Sequence, residues 1–260
     1  MIKNDLENIQ LANQNNCSSF DLKSLSNYKY YLTFDVDWAP DFCVSNILDK
    51  LKNANIKATF FVTHASDIIA DIINQGHNVG LHPNFLPNSS QGKCLVEIMD
   101  YLFKISPNST ILRTHCLIQS TPLLYDIFNK YQQLKFDFSL LMYKFPLVKA
   151  FEWNYDGSNL IRINYNWEDD FAFYDTDFIW ERPKFYSDIT VFDFHPIHVA
   201  LNSRDNKKYN LLKREIFGKP LWKATENQLK KFESNEKGTR DFLDAIIESD
   251  ATPIEFSELL

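Results

Sequence analysis

The sequence predicts an α/β fold, a deformed (β/α) barrel of six or seven parallel strands with an insertion in its middle. Three observations carry that expectation. Short β-branched or aromatic runs alternate with helical patterns from Tyr28 to about Lys135, and strand–helix alternation means parallel strands joined by crossover helices. The 260 residues, 45% hydrophobic and 15% aromatic, suffice for one substantial core. No linker, internal repeat or low-complexity tract divides the chain. A polar, Asn- and Ser-rich extension over residues 1–27 and a single domain over 28–260 are therefore expected.

The elements follow in order. KYYLTFDVDW reads as the first strand, followed by a helix from Val44 to Asn53; KATFFVT is the second strand, followed by a helix from Ser66 to Gln75. HNVGLH, a helix from Cys94 to Lys104, TILRTH and a helix from Pro122 to Tyr131 continue the repeat. Beyond Lys135 the pattern loosens. FEWNYDGSNLIRINYNW reads as a hairpin because Asp156-Gly157 is a turn signal between two extended runs. A late strand, DITVFDFH, and a helix from Thr239 to Glu248 restore the alternation.

Composition narrows the function. Lys plus Arg is 27 and Asp plus Glu is 34, a net charge of −7, which argues against a nucleic-acid partner held through its phosphates. Six glycines in the whole chain leave little room for a phosphate-cradling loop, which needs glycine to bring backbone amides close. The four cysteines, Cys17, Cys43, Cys94 and Cys116, form no CxxC pair, so reduced thiols in a cytoplasmic protein are expected. The polar N-terminal stretch does not resemble a signal peptide, and no segment has the length of a membrane span.

Chemistry-bearing residues gather at the strand ends. In Tyr31 to Trp38 the apolar positions alternate with Thr33, Asp35 and Asp37, and a two-residue period puts both aspartates on one face. A bound cation would offset their repulsion, leaving one as ligand and the other as base; the plainer alternative is that Asp37 only opens a loop. His77 and His82 flank the short strand in GHNVGLHPNF, with Pro83 ending it and His82 at its carboxyl end, where barrel active sites collect. Arg113 and His115 share a face in TILRTH, so the guanidinium could reach a carboxylate of the first strand; a surface ion pair is the alternative. In FDFHPIH, Asp193 and His195 share a face, and a carboxylate beside an imidazole raises its basicity. His198 follows a proline turn, and NWEDD clusters three acids beside Trp167.

In this order the motifs resemble those of the polysaccharide deacetylase superfamily, the NodB-homology or family 4 carbohydrate esterases, from about Tyr30 to the carboxyl terminus. TFDVDWAPDF, HPNF, NWEDD and FDFHPIH are most similar to the WbmS-like branch, associated with bacterial surface-polysaccharide genes. The resemblance implies Asp35 as general base, Asp37 and His82 as metal ligands, Arg113 as the group orienting the base, Asp169 in WEDD as support for the acid, and His195 as that acid. It implies a divalent metal, with zinc the expected ion, and a carbohydrate substrate: an amino sugar, an oligosaccharide or a sugar on a carrier. The reaction would be removal of an acyl group, acetyl foremost, during surface-polysaccharide assembly. Trp38, Asn84, Trp167 and His198 are candidate substrate contacts. One departure stands out. The second histidine of the family's second motif would fall at Leu86, which cannot ligate a metal, so a third ligand must come from elsewhere: His115 first, then His198, then His77. Two other readings fit the same residues, a metal-dependent hydrolase of a small cyclic amide and an inactive sugar-binding barrel.

Overall fold

The computed structural model describes residues 22–155, 158–186 and 188–260. Most of the expected N-terminal extension and the Asp156-Gly157 turn lie outside the described residues. Leu22–Asn27 forms a 3-10 turn whose Leu25 is buried, so ordered structure begins before Tyr28.

The expected strands and helices form, in the expected order. Strands β1 (Lys29–Asp35), β2 (Ala58–Val62), β3 (Asn78–Leu81), β4 (Ile111–Leu112) and β5 (Phe136–Leu141) pair in parallel. β6 (Ala150–Tyr155) and β7 (Ser158–Tyr165) are the antiparallel hairpin, and β7 joins β5 in parallel. β8 (Trp167–Glu168) and β9 (Ile189–Phe194) add to the far side, with β9 on β1, and β10 (Thr252–Pro253) also pairs with β1. The sheet order is β6-β7-β5-β4-β3-β2-β1-β9-β8. The chain itself bridges the two ends of this path. β7 ends at Tyr165 on β5, and after Asn166 the next residue is already paired with β9.

Alternation along the strands sorts the core into two layers. Tyr31, Phe61, Phe138, Ile163, Tyr165 and Val191 point inward, where Ile254 and Leu259 of the carboxyl-terminal segment close one end. Leu32, Phe34, Phe60, Val62, Phe192 and Phe194 point outward under the helices, and Phe34 stacks on Phe60 at 4.8 Å. Both faces are buried, which explains why the strands read as near-continuous apolar runs.

Helix α1 (Asp41–Ala54) shows how the covering layer forms. Cys43, Val44, Ile47, Leu48 and Leu51 recur at three- and four-residue spacing and are all buried. Each large aliphatic buried this way contributes about 1.5–3 kcal/mol before chain entropy is counted. Asn55 ends the helix in the left-handed region at φ 55°, its N–H donating to the Leu51 and Lys52 carbonyls. Helices α2 (Ile68–Asn74), α3 (Leu95–Ile105), α4 (Thr121–Lys130), α5 (Asp169–Ala172), α6 (Pro196–Leu201), α7 (Lys207–Glu215), α8 (Glu226–Phe232) and α9 (Thr239–Ile247) complete the described helices.

One expected sugar wall belongs to this layer instead. Trp167 is fully buried, its ring 4.7 Å from Phe242 and 4.9 Å from Phe194. Its large apolar surface is worth more in the core than at a wet cleft, so Trp167 is not a substrate contact.

Candidate metal and acid–base centre

The site collects where the parallel strands end. The first strand stops at Asp35, earlier than expected, so Asp35 and Asp37 do not share a strand face. Val36 still pairs with the Phe61 carbonyl, and then Asp37 and Trp38 turn back with φ of 45° and 57°. Non-glycine residues pay strain in that region. Here the turn is fixed by the Trp38 N–H donating to Thr63 Oγ1 at 3.1 Å and the Ala39 N–H to the Val36 carbonyl. The turn brings Asp37 back over the strand end that carries Asp35.

Asp37 meets two imidazoles. Its Oδ1 lies 3.2 Å from His82 Nε2 and 3.0 Å from His115 Nδ1, and those two nitrogens are 3.3 Å apart. A four-coordinate zinc with bonds of about 2.0–2.1 Å needs donor atoms roughly 3.3 Å from one another, so the triangle fits such an ion. Two further observations support the fit. Asp37 Oδ1 is buried without an aligned hydrogen-bond partner. His82 Nδ1 lies 2.9 Å from the Arg113 carbonyl, which can only accept; Nδ1 therefore carries the proton, and Nε2 turns a lone pair toward the triangle. Burial alone would raise the Asp37 carboxyl, but the His115 and His82 contacts hold it well below the usual carboxylate range. Burial alone would lower the His115 imidazole, yet contact with Asp37 pushes it up to about 10. A pocket that draws in a proton this strongly suits a cation.

His115 reaches the triangle in the manner its spacing suggests, although the assigned strand ends at Leu112. The parallel ladder runs on, Arg113 N–H to the Leu81 carbonyl at 3.0 Å and His115 N–H to the Pro83 carbonyl at 2.9 Å. His115 then opens a 3-10 turn in which Cys116 and Leu117 take positive φ. Leu86, at the position of the missing histidine, is exposed. The other two substitutes do not reach the triangle. His77 sits at the opposite end of β3, its Nδ1 accepting the Ala58 N–H at 3.2 Å. His198 is buried, with Nδ1 3.1 Å from Ser203 Oγ and its ring against His195, Tyr209 and Phe173. It backs His195 and is no substrate contact.

Beside the triangle stand two proton-handling pairs. Asp35 Oδ2 is 3.5 Å from His82 Nε2, while its Oδ1 accepts from Arg113 Nη1 at 2.9 Å. Arg113 is fully buried. It donates to the Phe138 carbonyl and Thr33 Oγ1, pairs with Asp193, and lies 4.2 Å from the Tyr165 ring centroid and 4.4 Å from that of Phe61. The expectation for Asp193 is corrected: it serves Arg113, and the carboxylate on His195 is Asp169. His195 Nδ1 lies 2.6 Å from Asp169 Oδ1, and its backbone N–H donates to the other oxygen at 2.8 Å. Burial opposes charge on His195, but Asp169 outweighs it and holds the imidazole well above its ordinary value. Its Nε2 is 3.6 Å from Asp37 Oδ2, so a protonated ring faces the same centre.

The half-buried Trp38 meets His115 edge-on at 5.3 Å. Asn84, also half-buried, receives the Leu86 N–H on its side chain. Sequence reasoning missed Gln91, whose buried amide donates to the carbonyls of Thr63 and His82 and accepts the Asn84 N–H. No local pattern marks it, because all three partners are distant or backbone.

A family model described as WbmS-like polysaccharide deacetylase matches residues 32–213. The chain is similar to a Bordetella bronchiseptica protein, WbmS, assigned to polysaccharide deacetylation in O-antigen biosynthesis, with 28% identity, a TM-score of 0.71, and 87% of this chain and 92% of that one covered. A peptidoglycan N-acetylglucosamine deacetylase matches at 15% identity and a TM-score of 0.43, covering 89% of this chain and 87% of that one. A Clostridium thermocellum family 4 acetyl xylan esterase in complex with a cobalt ion matches at 16% and 0.41, covering 89% and 90%. No curated protein matches.

Proposed function

The chain belongs to the WbmS-like polysaccharide deacetylase family, and on that premise we propose that it hydrolyses the acyl amide, acetyl foremost, of an amino sugar during surface-polysaccharide assembly. The observation that carries the reading is the Asp37–His82–His115 triangle standing between an Arg113-bound carboxylate and an Asp169-bound imidazole.

Asp37, His82 and His115 would hold a divalent cation, zinc by their donor types, which when bound supplies Lewis acidity to the acyl carbonyl and to the attacking water. Asp35 accepts the proton that water gives up as its oxygen attacks the acyl carbon. Arg113 donates to that carboxylate and aims it. His195 donates a proton to the sugar nitrogen as the carbon–nitrogen bond breaks, leaving a carboxylic acid and a free amine. Asp169 fixes the ring with its remaining N–H toward the reacting nitrogen. Trp38 and Asn84 are the proposed contacts for the sugar ring.

We assign the reaction to the cytoplasm, a reading supported by the unpaired Cys43, Cys94 and Cys116. Among the described residues no helix is long and apolar enough to cross a membrane. The test is metal analysis of the purified protein followed by screening acylated amino sugars for amine release. Metal bound in stoichiometric amount and amine released are the expected results. A protein that binds no divalent ion and releases no amine from any acylated sugar would sink the reading.

A further inference from the structure

Residues 207–223 carry six cations, Lys207, Lys208, Lys213, Arg214, Lys219 and Lys223, against a single acid, Glu215, a local charge of +5 in a chain whose total is −7. All six cations are exposed. Among the described residues only Lys207 of the six forms a salt bridge, to Asp205. Glu215 is taken up from outside the stretch by Lys231 at 2.8 Å. Most of the positive charge on this surface is therefore uncompensated.

The fold holds the stretch from beneath and leaves apolar side chains on top. Leu212 of α7 and Ile216 are buried in a cluster with Ile197, Leu201 and Leu229, while Leu211, Phe217 and Trp222 are exposed, Phe217 at 91%. The Phe217 N–H donates to the Arg214 carbonyl and the Lys219 N–H to that of Ile216, which fixes the turn after α7. Gly218 takes φ 81° there, and a Cβ on it would meet nothing within 4 Å, so the tip stands clear of the fold. A lone exposed apolar side chain needs no explanation. An aromatic tip among unpaired cations is the composition of an interfacial anchor, in which the ring enters between lipid headgroups and the cations meet their phosphates.

The patch borders the reaction centre. Tyr209 of α7 lies against His198 at 4.9 Å, and His198 against His195 at 5.6 Å. Towards the other end Trp222 stacks on His64 at 5.3 Å, and the adjacent Thr63 accepts the Trp38 N–H. Whatever this stretch touches comes to lie beside the site.

We propose that residues 207–223 form a docking surface for an anionic lipid bilayer, seating the chain peripherally with Phe217 and Leu211 among the headgroups. The acidity of the whole chain does not oppose this, because charges more than a Debye length from the bilayer, about 8 Å at physiological salt, are screened from it. A nucleic acid would use the cations but not a projecting apolar tip, since its bases stack on aromatics that line a groove. Such docking goes beyond the hydrolysis proposed above and is independent of which acyl amide the site cleaves.

The test sediments the full chain with vesicles of phosphatidylcholine alone and of phosphatidylcholine mixed with phosphatidylglycerol, a readout that needs no turnover. Wild type should bind the mixed vesicles, leave the neutral ones, and be released as salt rises. Phe217→Ala should weaken binding about tenfold through lost apolar burial, and Phe217→Trp should retain it. Lys219→Gln and Lys223→Gln should each weaken it about fivefold. All these side chains are exposed, and circular dichroism checks that each variant folds. Equal binding to both vesicle types, binding to neither, or binding to the mixed vesicles that no variant alters would overturn the proposal. So would tighter binding to single-stranded DNA than to the mixed vesicles, or a dimer in analytical ultracentrifugation that Phe217→Ala dissolves, since a second copy would then cover the patch.

Discussion

Replacing Arg113 by Met tests the charge balance on which the acid–base half of the site stands. The guanidinium is fully buried and faces two carboxylates, Asp35 and Asp193, each at most 4% exposed. Methionine fills similar volume between the Phe61 and Tyr165 rings but supplies no charge. Removing one partner of a buried ion pair costs about 3–5 kcal/mol, a large part of the roughly 5–15 kcal/mol by which domains are stable. The loss should depend on pH in a definite direction. Burial already pushes the Asp193 carboxyl up to about 8 against the pull of Arg113, and loss of the cation raises it further above its unfolded value near 3.9, so the folded chain binds more protons than the unfolded chain. Stability of the variant therefore rises as pH falls from neutrality toward about 4. Adding Asp193→Asn removes one of the stranded charges and should return about 1–3 kcal/mol. Urea unfolding followed by circular dichroism, at about pH 7.5 and 5.5, reads all three effects. An Arg113→Met loss below about 1 kcal/mol, or an Asp193→Asn substitution that adds to the damage instead of relieving it, would refute the account of Arg113 as a shared buried counter-ion.

Other perturbations separate the remaining roles. Asp37→Ala, His82→Ala and His115→Ala should each empty the site of metal by elemental analysis, whereas Asp35→Asn and His195→Ala should retain it and lose about 10²–10⁴-fold in kcat; equal metal loss in all five would contradict the division. Burial, and then Lys57, lower the His77 imidazole to about 4, below the free value of about 6.5. The unfolded chain takes up that proton first, so this contribution to stability is present above about pH 6.5 and is lost as pH falls toward about 4. His77→Asn keeps an acceptor for the Ala58 N–H and should flatten that part of the acid-denaturation curve; an unchanged slope would rule the histidine out. A Cβ added at Gly80 would stand 2.5 Å from the Phe61 ring, the ring that supports Arg113. Gly80→Ala should therefore cost about 1–3 kcal/mol by overpacking, seen as a lowered thermal midpoint; no shift would mean that Phe61 is free to move.

Much of this molecule was legible in its sequence because parallel barrels announce themselves through alternation. The strand–helix order, the hairpin and the strand-end positions of Asp35, His82 and His195 follow from periods of 2 and 3.6. What escaped was decided by backbone turns and by long-range partners. The left-handed turn at Asp37 and Trp38 cannot be read from an alternating D-V-D-W pattern, which looks like more strand. Two-residue spacing correctly put Asp193 on the face of His195 but could not show that Arg113, 80 residues away, would claim it. Trp167 and His198 sit beside motif residues in the chain, yet the fold turns both toward the interior. His115 was reachable from its spacing to Arg113, because the β3–β4 ladder persists to His115, three residues beyond the end of β4 at Leu112.

The placement of His115 has a consequence for how an ion and the fold depend on each other. A second histidine at position 86 would sit four residues from His82, a pair able to chelate metal on an unfolded chain. Here the donors come from the ends of β1, β3 and β4, with His82 and His115 separated by 33 positions. His82 and His115 meet only once β3 and β4 have paired, and Asp37 joins them only when β1 and β2 are also in place. An ion at this centre would bind the native chain alone and act as a clasp across the barrel's rim, so its full affinity adds to folding, by RT ln(1 + [L]/Kd) with nothing subtracted for the unfolded state. Metal supply would then set how long each molecule survives as well as how fast it turns over.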